Sequence, residues 1–225
     1  MNSYKLIISA EEIQIRVSEL ARQISTDYSE KNPLLITPLK AGFIFLADLI
    51  RHLTIPHEID FISVSSYREG WQRSKEVEIG NEMRSNIEDR DIIIVEGIVD
   101  TGHTLFNLIQ TLSKRRARSL SVCTLLNKPR AREVDVPLNY VGFIVEDVFV
   151  VGYGLDFMER YRNLDYIAEI QTDLEMQRAF PGSASMYQRL KGDREGQKSI
   201  VVSSGKTGKF GKLKVKHPSL AKPDS

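Results

Sequence analysis

The chain lacks the means for several kinds of function. A single cysteine cannot close an internal disulfide, and Cys123 lies in an apolar run, so a buried thiol in a reducing cytosol is expected. No apolar run approaches the ~20 residues of a membrane-spanning helix, which argues against a membrane partner. Net charge is nearly absent, 31 Lys/Arg against 30 Asp/Glu, so bulk electrostatics gives no footing for nucleic acid. Charged residues follow the first ten at once, unlike a secretion signal, and a cytoplasmic location is expected. Within 225 residues, 41% of them hydrophobic, one α/β domain with extras can bury its core.

The near-zero charge conceals a split. Residues 181–225 hold ten Lys/Arg against three Asp/Glu, which leaves residues 1–180 at −6. This Gly/Lys/Ser-rich tail is expected to be largely disordered and separate from a domain spanning 1–180. Its Gly205-Lys206-Thr207 is no phosphate loop, because that pattern needs a glycine where Ile200 stands.

Before the tail, strand patterns alternate with helical ones. Residues 10–30 read as an amphipathic helix with Ser9 as N-cap and Ile13, Val17, Leu20, Ala21 and Ile24 on its buried face. Strands are expected at 34–37, 58–66, 119–126, 140–144, 149–152 and 166–170, with a second helix over 42–53. The polar stretch 67–74, around Gly70 and Trp71, reads as a long loop. Such alternation implies a mostly parallel sheet covered by helices, with the ligand at the carboxyl ends of the strands.

The most informative segment is Asp91-Ile92-Ile93-Ile94-Val95-Glu96-Gly97-Ile98-Val99-Asp100-Thr101-Gly102-His103-Thr104. Four consecutive β-branched residues predict a buried strand, and a helical pattern runs from Gly102 to about Arg116. A turn from a strand end into a helix start offers unpaired N–H groups and positive potential to an anion. Carboxylates beside such a cradle fit a ligand that also brings sugar hydroxyls or a metal. A phosphorylated sugar meets both demands.

This segment resembles the phosphoribosyl pyrophosphate signature of type I phosphoribosyltransferases, and four others resemble the hypoxanthine-guanine branch of that family. They are Leu39-Lys40-Ala41-Gly42, Ser65-Ser66-Tyr67, Lys128 after Leu125-Leu126-Asn127, and residues 147–156 with Glu159, Tyr161, Arg162, Asn163 and Leu164. Together they span about residues 5–172. The fold so implied is a central, mostly parallel sheet flanked by helices, with a small hood and a flexible lid loop. The implied reaction moves 5-phosphoribose from phosphoribosyl pyrophosphate to a 6-oxopurine, with Mg²⁺ as cofactor and a homodimer or homotetramer as the assembly.

The resemblance also assigns roles. Asp100 is the general acid or base at purine N7. Thr101, Gly102 and Thr104 cradle the 5-phosphate, with His103 beside them either touching the phosphate or facing solvent. Lys40, Ala41 and Arg162 belong to pyrophosphate, and Glu96 to ribose and metal. Lys128 selects an exocyclic oxygen, Phe149 stacks on the base, and the Val150 backbone reads its edge. Asp156 borders the purine and holds Mg²⁺, while Ser66 and Tyr67 begin the lid. The chain departs from the pattern at Gly97, where a second acid is usual, at Ala41 in place of glycine, and at Lys75 in the lid. These departures leave room for a weakened nucleotide-binding or regulatory homologue, or an enzyme for xanthine. A pyrimidine-sensing RNA binder fits poorly, because Lys128 and Phe149-Val150 are purine features and residues 1–180 are acidic.

Overall fold

In the computed structural model, residues 4–69, 72–79, 83 and 85–170 are described, those of 64–69 and 72–79 by their backbone alone. The tail and Trp71 lie outside them. The elements run β1 Tyr4–Ile8, α1 Ala10–Asp27, β2 Leu34–Leu39, α2 Phe43–His52, β3 Glu58–Glu69 and β4 Gln72–Ile79. They continue with β5 Asp91–Val99, α3 His103–Ser113, β6 Ser119–Asn127, β7 Tyr140–Ile144, β8 Val150–Val151 and β9 Ile167–Ile170.

The large sheet has the order β4-β3-β2-β5-β6-β7. Every pair from β3 to β7 is parallel, and β4 is antiparallel to β3. Alternation along β5 separates two cores. Ile93 and Val95 face α1 and α2, among Ile13, Leu20, Phe45 and Leu49. Ile92 and Ile94 face α3, among Leu105, Leu108 and Leu112. A strand buried on both faces must be apolar at every position, which is why this one reads as an unbroken β-branched run.

Helix α1 starts where expected. Ser9 Oγ accepts the Glu12 N–H at 3.3 Å, and Glu12 Oε2 accepts the Ser9 N–H at 2.8 Å, a reciprocal capping box. Its five predicted core residues are all fully buried. Helices α1 and α3 each end about three residues earlier than the pattern predicts.

Two elements differ from expectation. Residues 67–69 continue β3 and residues 72–74 belong to β4, with Ser66 opposite Val77 and Arg68 opposite Arg73, so the described part of the expected lid loop is a two-stranded ribbon. A polar segment has no hydrophobic alternation, and the usual strand signal is therefore missing. Ser66 and Tyr67 lie on this ribbon; their side chains are outside the described residues. Strand β1, unpredicted, joins β9 and β8 in a separate three-stranded antiparallel sheet, the hood. Among the described residues, no helix is long and apolar enough to cross a membrane.

Candidate active site

The carboxyl ends of β2, β5 and β6, with the turns after β8, bring most of the predicted residues into two groups. In the first, Lys128 and Asp100 stand at adjacent strand ends, tied by the Lys128 N–H to Val99 O bond of 3.0 Å. Lys128 Nζ lies 4.0 Å from Asp100 Oδ2, its side chain 7% exposed and that of Asp100 45% exposed. A lysine at a strand end is ordinarily a solvent-facing residue. Here its ammonium is desolvated beside a half-exposed carboxylate, an arrangement that favours recognition of a polar ligand edge.

The turn into α3 is tacked down from the far side. Gly102 is the helix N-cap at φ +94°, and Thr104 is exposed in the first turn. Thr101 O accepts N–H groups of Glu133 and Val134 at 2.9 and 3.0 Å. Arg132 grips the same turn: Nε donates to Asp100 O at 3.0 Å, and an Nη donates to Asn127 Oδ1 at 2.6 Å and Val99 O at 3.3 Å. The sequence offered no means of singling out Arg132, since a third cation in Lys-Pro-Arg-Ala-Arg looks like any solvated charge. His103 differs from expectation. It is partly covered and its Nε2 lies 2.9 Å from Glu133 Oε2, because the 3-10 turn Pro129–Ala131 returns the chain over the helix start.

In the second group, Lys40 Nζ and an Nη of Arg162 both donate to Glu159 Oε2, at 2.9 and 3.2 Å. The same Arg162 nitrogen is 2.9 Å from Asp156 Oδ1, and the other Nη donates to Gly154 O at 2.8 Å. Arg162 Nε is buried without a hydrogen-bond partner among the described residues. Asp156 Oδ2 accepts the Glu159 N–H at 2.9 Å. The turn that carries these groups is anchored to α2 through Tyr153, whose hydroxyl donates to Asp48 Oδ2 at 2.6 Å. That tie was invisible in the sequence, because the partners are 105 residues apart.

The loop joining β2 to α2, with its cis Leu39–Lys40 peptide, packs on β5. A Cβ at Gly97 would stand 2.8 Å from Ala41 O and 3.0 Å from Ala41 C. The missing second acid is thus a place where the loop's backbone rests on the strand. Glu96 beside it is 7% exposed, and its Oε1 accepts the Gly97 N–H at 3.1 Å. Burial pushes its pKa up to about 8, so near neutrality it is mainly an uncharged acid.

Glu96 therefore contributes stability that is fully present below the unfolded value near 4.5 and lost as pH rises through about 8. Glu96→Gln keeps the acceptor and removes the titration. Thermal melts at pH 5 and pH 8 are expected to show the variant gaining on the parent at the higher pH, by on the order of a few kcal/mol. A gap independent of pH would show that Glu96 is ionised in the folded chain.

Phe149 is 38% exposed and stands edge-on to Phe157, with ring centroids 5.6 Å apart at 88°. It is no ordinary core residue. Val150 is buried and pairs in β8 opposite Glu169. Among the described residues, no group of three or more His, Cys, Asp or Glu could by itself hold a metal. Asp156, partly exposed, fits the role of a single carboxylate ligand to a Mg²⁺ otherwise held by phosphate and water. Glu96, expected as a second ligand, is 7% exposed, and one of its carboxylate oxygens accepts the Gly97 N–H.

Residues 4–158 match the model of the phosphoribosyl transferase domain family. The chain is 42% identical over 171 residues to the hypoxanthine phosphoribosyltransferase of Salmonella typhimurium, covering 75% of this chain and 96% of that one. It is 46% identical over 167 residues to the hypoxanthine-guanine phosphoribosyltransferase of Bacillus subtilis, covering 74% and 93%. The crystal structure of a hypoxanthine-guanine phosphoribosyltransferase from Bacillus anthracis superimposes with a TM-score of 0.70 at 41% identity, over 75% of this chain and 98% of that one. With the parallel sheet, the hood and the acidic strand-turn-helix all in place, the chain belongs to the phosphoribosyltransferase family, beside its hypoxanthine and hypoxanthine-guanine members.

Proposed function

We propose that this protein is a hypoxanthine-guanine phosphoribosyltransferase of purine salvage. It transfers 5-phosphoribose from phosphoribosyl pyrophosphate to N9 of hypoxanthine or guanine, giving IMP or GMP and pyrophosphate. The observation that carries this reading is the buried Lys128 beside Asp100, at the mouth of a turn suited to a phosphate. A buried ammonium donates to the 6-oxo group and finds no acceptor in the amino group of adenine, which disfavours that base.

The C1–oxygen bond to pyrophosphate breaks with its electron pair leaving on the pyrophosphate oxygen, and the C1–N9 bond forms. The purine gives up a proton, which Asp100 receives at N7. Thr101, Gly102 and Thr104 hold the 5-phosphate through the start of α3. Lys40 and Arg162 hold pyrophosphate as charge builds on it, and Phe149 stacks on the base while the Val150 backbone reads its edge. Glu96 hydrogen-bonds a ribose hydroxyl and would serve as a second carboxylate for the metal. Bound Mg²⁺, with Asp156 as a ligand from this chain, would neutralise charge on the leaving group. Ser66 and Tyr67 begin the lid that excludes water from C1. A cytoplasmic homodimer or homotetramer, without nucleic-acid or membrane partners, completes the reading.

The test is one assay of the full chain with phosphoribosyl pyrophosphate, Mg²⁺ and each of hypoxanthine, guanine, xanthine and adenine. Nucleotide is expected with the first two. No product from any base, with purine nucleotide still bound, would overturn the enzyme reading in favour of a sensor.

A further inference from the structure

Glu159 sits on a turn that suits it badly. Phe157 and Arg160 exchange N–H to O=C bonds of 3.2 and 3.1 Å, and the two residues between them have φ of +54° (Met158) and +63° (Glu159). Two left-handed residues in a two-residue hairpin make a type I′ turn, which favours Asn-Gly because a Cβ is penalised at both positions. Met-Glu persists there only because the surroundings over-determine it.

Those surroundings are cationic. Glu159 Oε2 accepts from both Lys40 and Arg162, and the backbone N–H of the same residue is pinned by Asp156. The turn thus delivers a carboxylate between the two cations assigned to pyrophosphate. Hydrogen bonds from Lys40 and then Arg162 hold this carboxyl below the usual carboxylate range, so it is an anion throughout the neutral range. Lys40 and Glu159 are both exposed, 62% and 66%, so their contact is weak and open to exchange, and the carboxylate end of the Arg162 pair is equally open to solvent.

We propose that Glu159 is a tethered competitor of pyrophosphate: it keeps Lys40 and Arg162 gathered, yields them to an incoming diphosphate, and reclaims them as the product leaves. This rests on the assignment of Lys40 and Arg162 to the pyrophosphate group. A competing internal anion weakens phosphoribosyl pyrophosphate and free pyrophosphate alike, and it relieves inhibition by the product.

The experiment measures binding of inorganic pyrophosphate, with Mg²⁺, to the full chain by calorimetry, alongside steady-state kinetics. Glu159→Gln removes the charge at constant size, and Glu159→Asn removes it while suiting the turn better. Both are expected to bind pyrophosphate roughly two- to thirtyfold tighter, the equivalent of freeing two weak ion pairs, one between exposed groups and one to a mostly buried arginine. Product inhibition by pyrophosphate strengthens and the KM for phosphoribosyl pyrophosphate falls in parallel. Lys40→Gln serves as the control, its side chain being 62% exposed, with a thermal melt to check that the variant is folded. Weaker binding in Lys40→Gln with unchanged or weaker binding in both Glu159 variants overturns the competitor and leaves the site assignment standing. Unchanged binding in Lys40→Gln overturns the assignment, and the proposal with it.

Discussion

Asp100→Asn is expected to lower kcat by roughly 10²- to 10⁴-fold, the usual contribution of a positioned general base. The melting temperature is expected to stay near that of the parent. Asparagine leaves a polar oxygen near Lys128, so the buried ammonium keeps a polar neighbour, while the amide cannot take a proton from the purine. Asp100→Ala should lose as much activity and some stability as well. Truncation leaves Lys128, 7% exposed, without its neighbour, and orphaning a buried charge costs about 1–3 kcal/mol or more. Comparing the two variants separates chemistry from packing. Activity within tenfold of the parent in the asparagine variant, measured with hypoxanthine at saturating phosphoribosyl pyrophosphate, would remove Asp100 from the mechanism.

Gly154→Val is expected to lower stability by about 3 kcal/mol or more, with a fall in melting temperature of roughly 10 °C. Two effects add. Gly154 has φ +96°, a region that a β-branched residue occupies only under strain. A Cβ there would also collide with the Ala41 carbonyl oxygen, which is backbone and cannot rotate away. Gly154 O accepts from Arg162 as well, so the shift needed to relieve the clash pulls on the second group of site residues. The variant should therefore lose pyrophosphate affinity even below its melting temperature. Calorimetry together with a thermal melt checks both halves, and a variant as stable as the parent would show that the Ala41 loop can move aside without cost.

The sequence was legible where one physical signal dominated. Strand β5 announced itself because burial on both faces forces an apolar run, and α1 because its cap and its buried face agree. Candidate site residues could be singled out where chemistry restricts the choice, as for the acid and glycine of Asp100-Thr101-Gly102. What stayed hidden depends on approach between distant segments. Nothing local distinguishes Arg132 from Arg130, although one grips the Asp100 turn and the other pairs with exposed Glu146. Gly97 read as a missing carboxylate, and only the fold reveals it as the place where the Ala41 loop touches β5. Glu159 lay within a recognisable segment, but its bridge to Lys40 crosses 119 residues of chain. The outer part of the β3 and β4 ribbon, past residue 66, escaped notice because a polar strand has no periodic signature.

The Ala41 carbonyl lies against Gly97 on one side and Gly154 on the other, so three stretches from the first, middle and last parts of the described chain meet around one oxygen. That geometry bears on how the protein is made. During synthesis the sheet can begin to assemble as soon as β2, β5 and their helices have emerged, yet Lys40 has no counterpart until the chain is translated past Arg162. Contacts between segments so far apart form late and close large loops, which slows the final step relative to the first collapse. A nascent or prematurely terminated chain can hold much of its core and the Asp100–Lys128 group and still lack the Lys40–Glu159–Arg162 group, so full competence arrives near the end of folding.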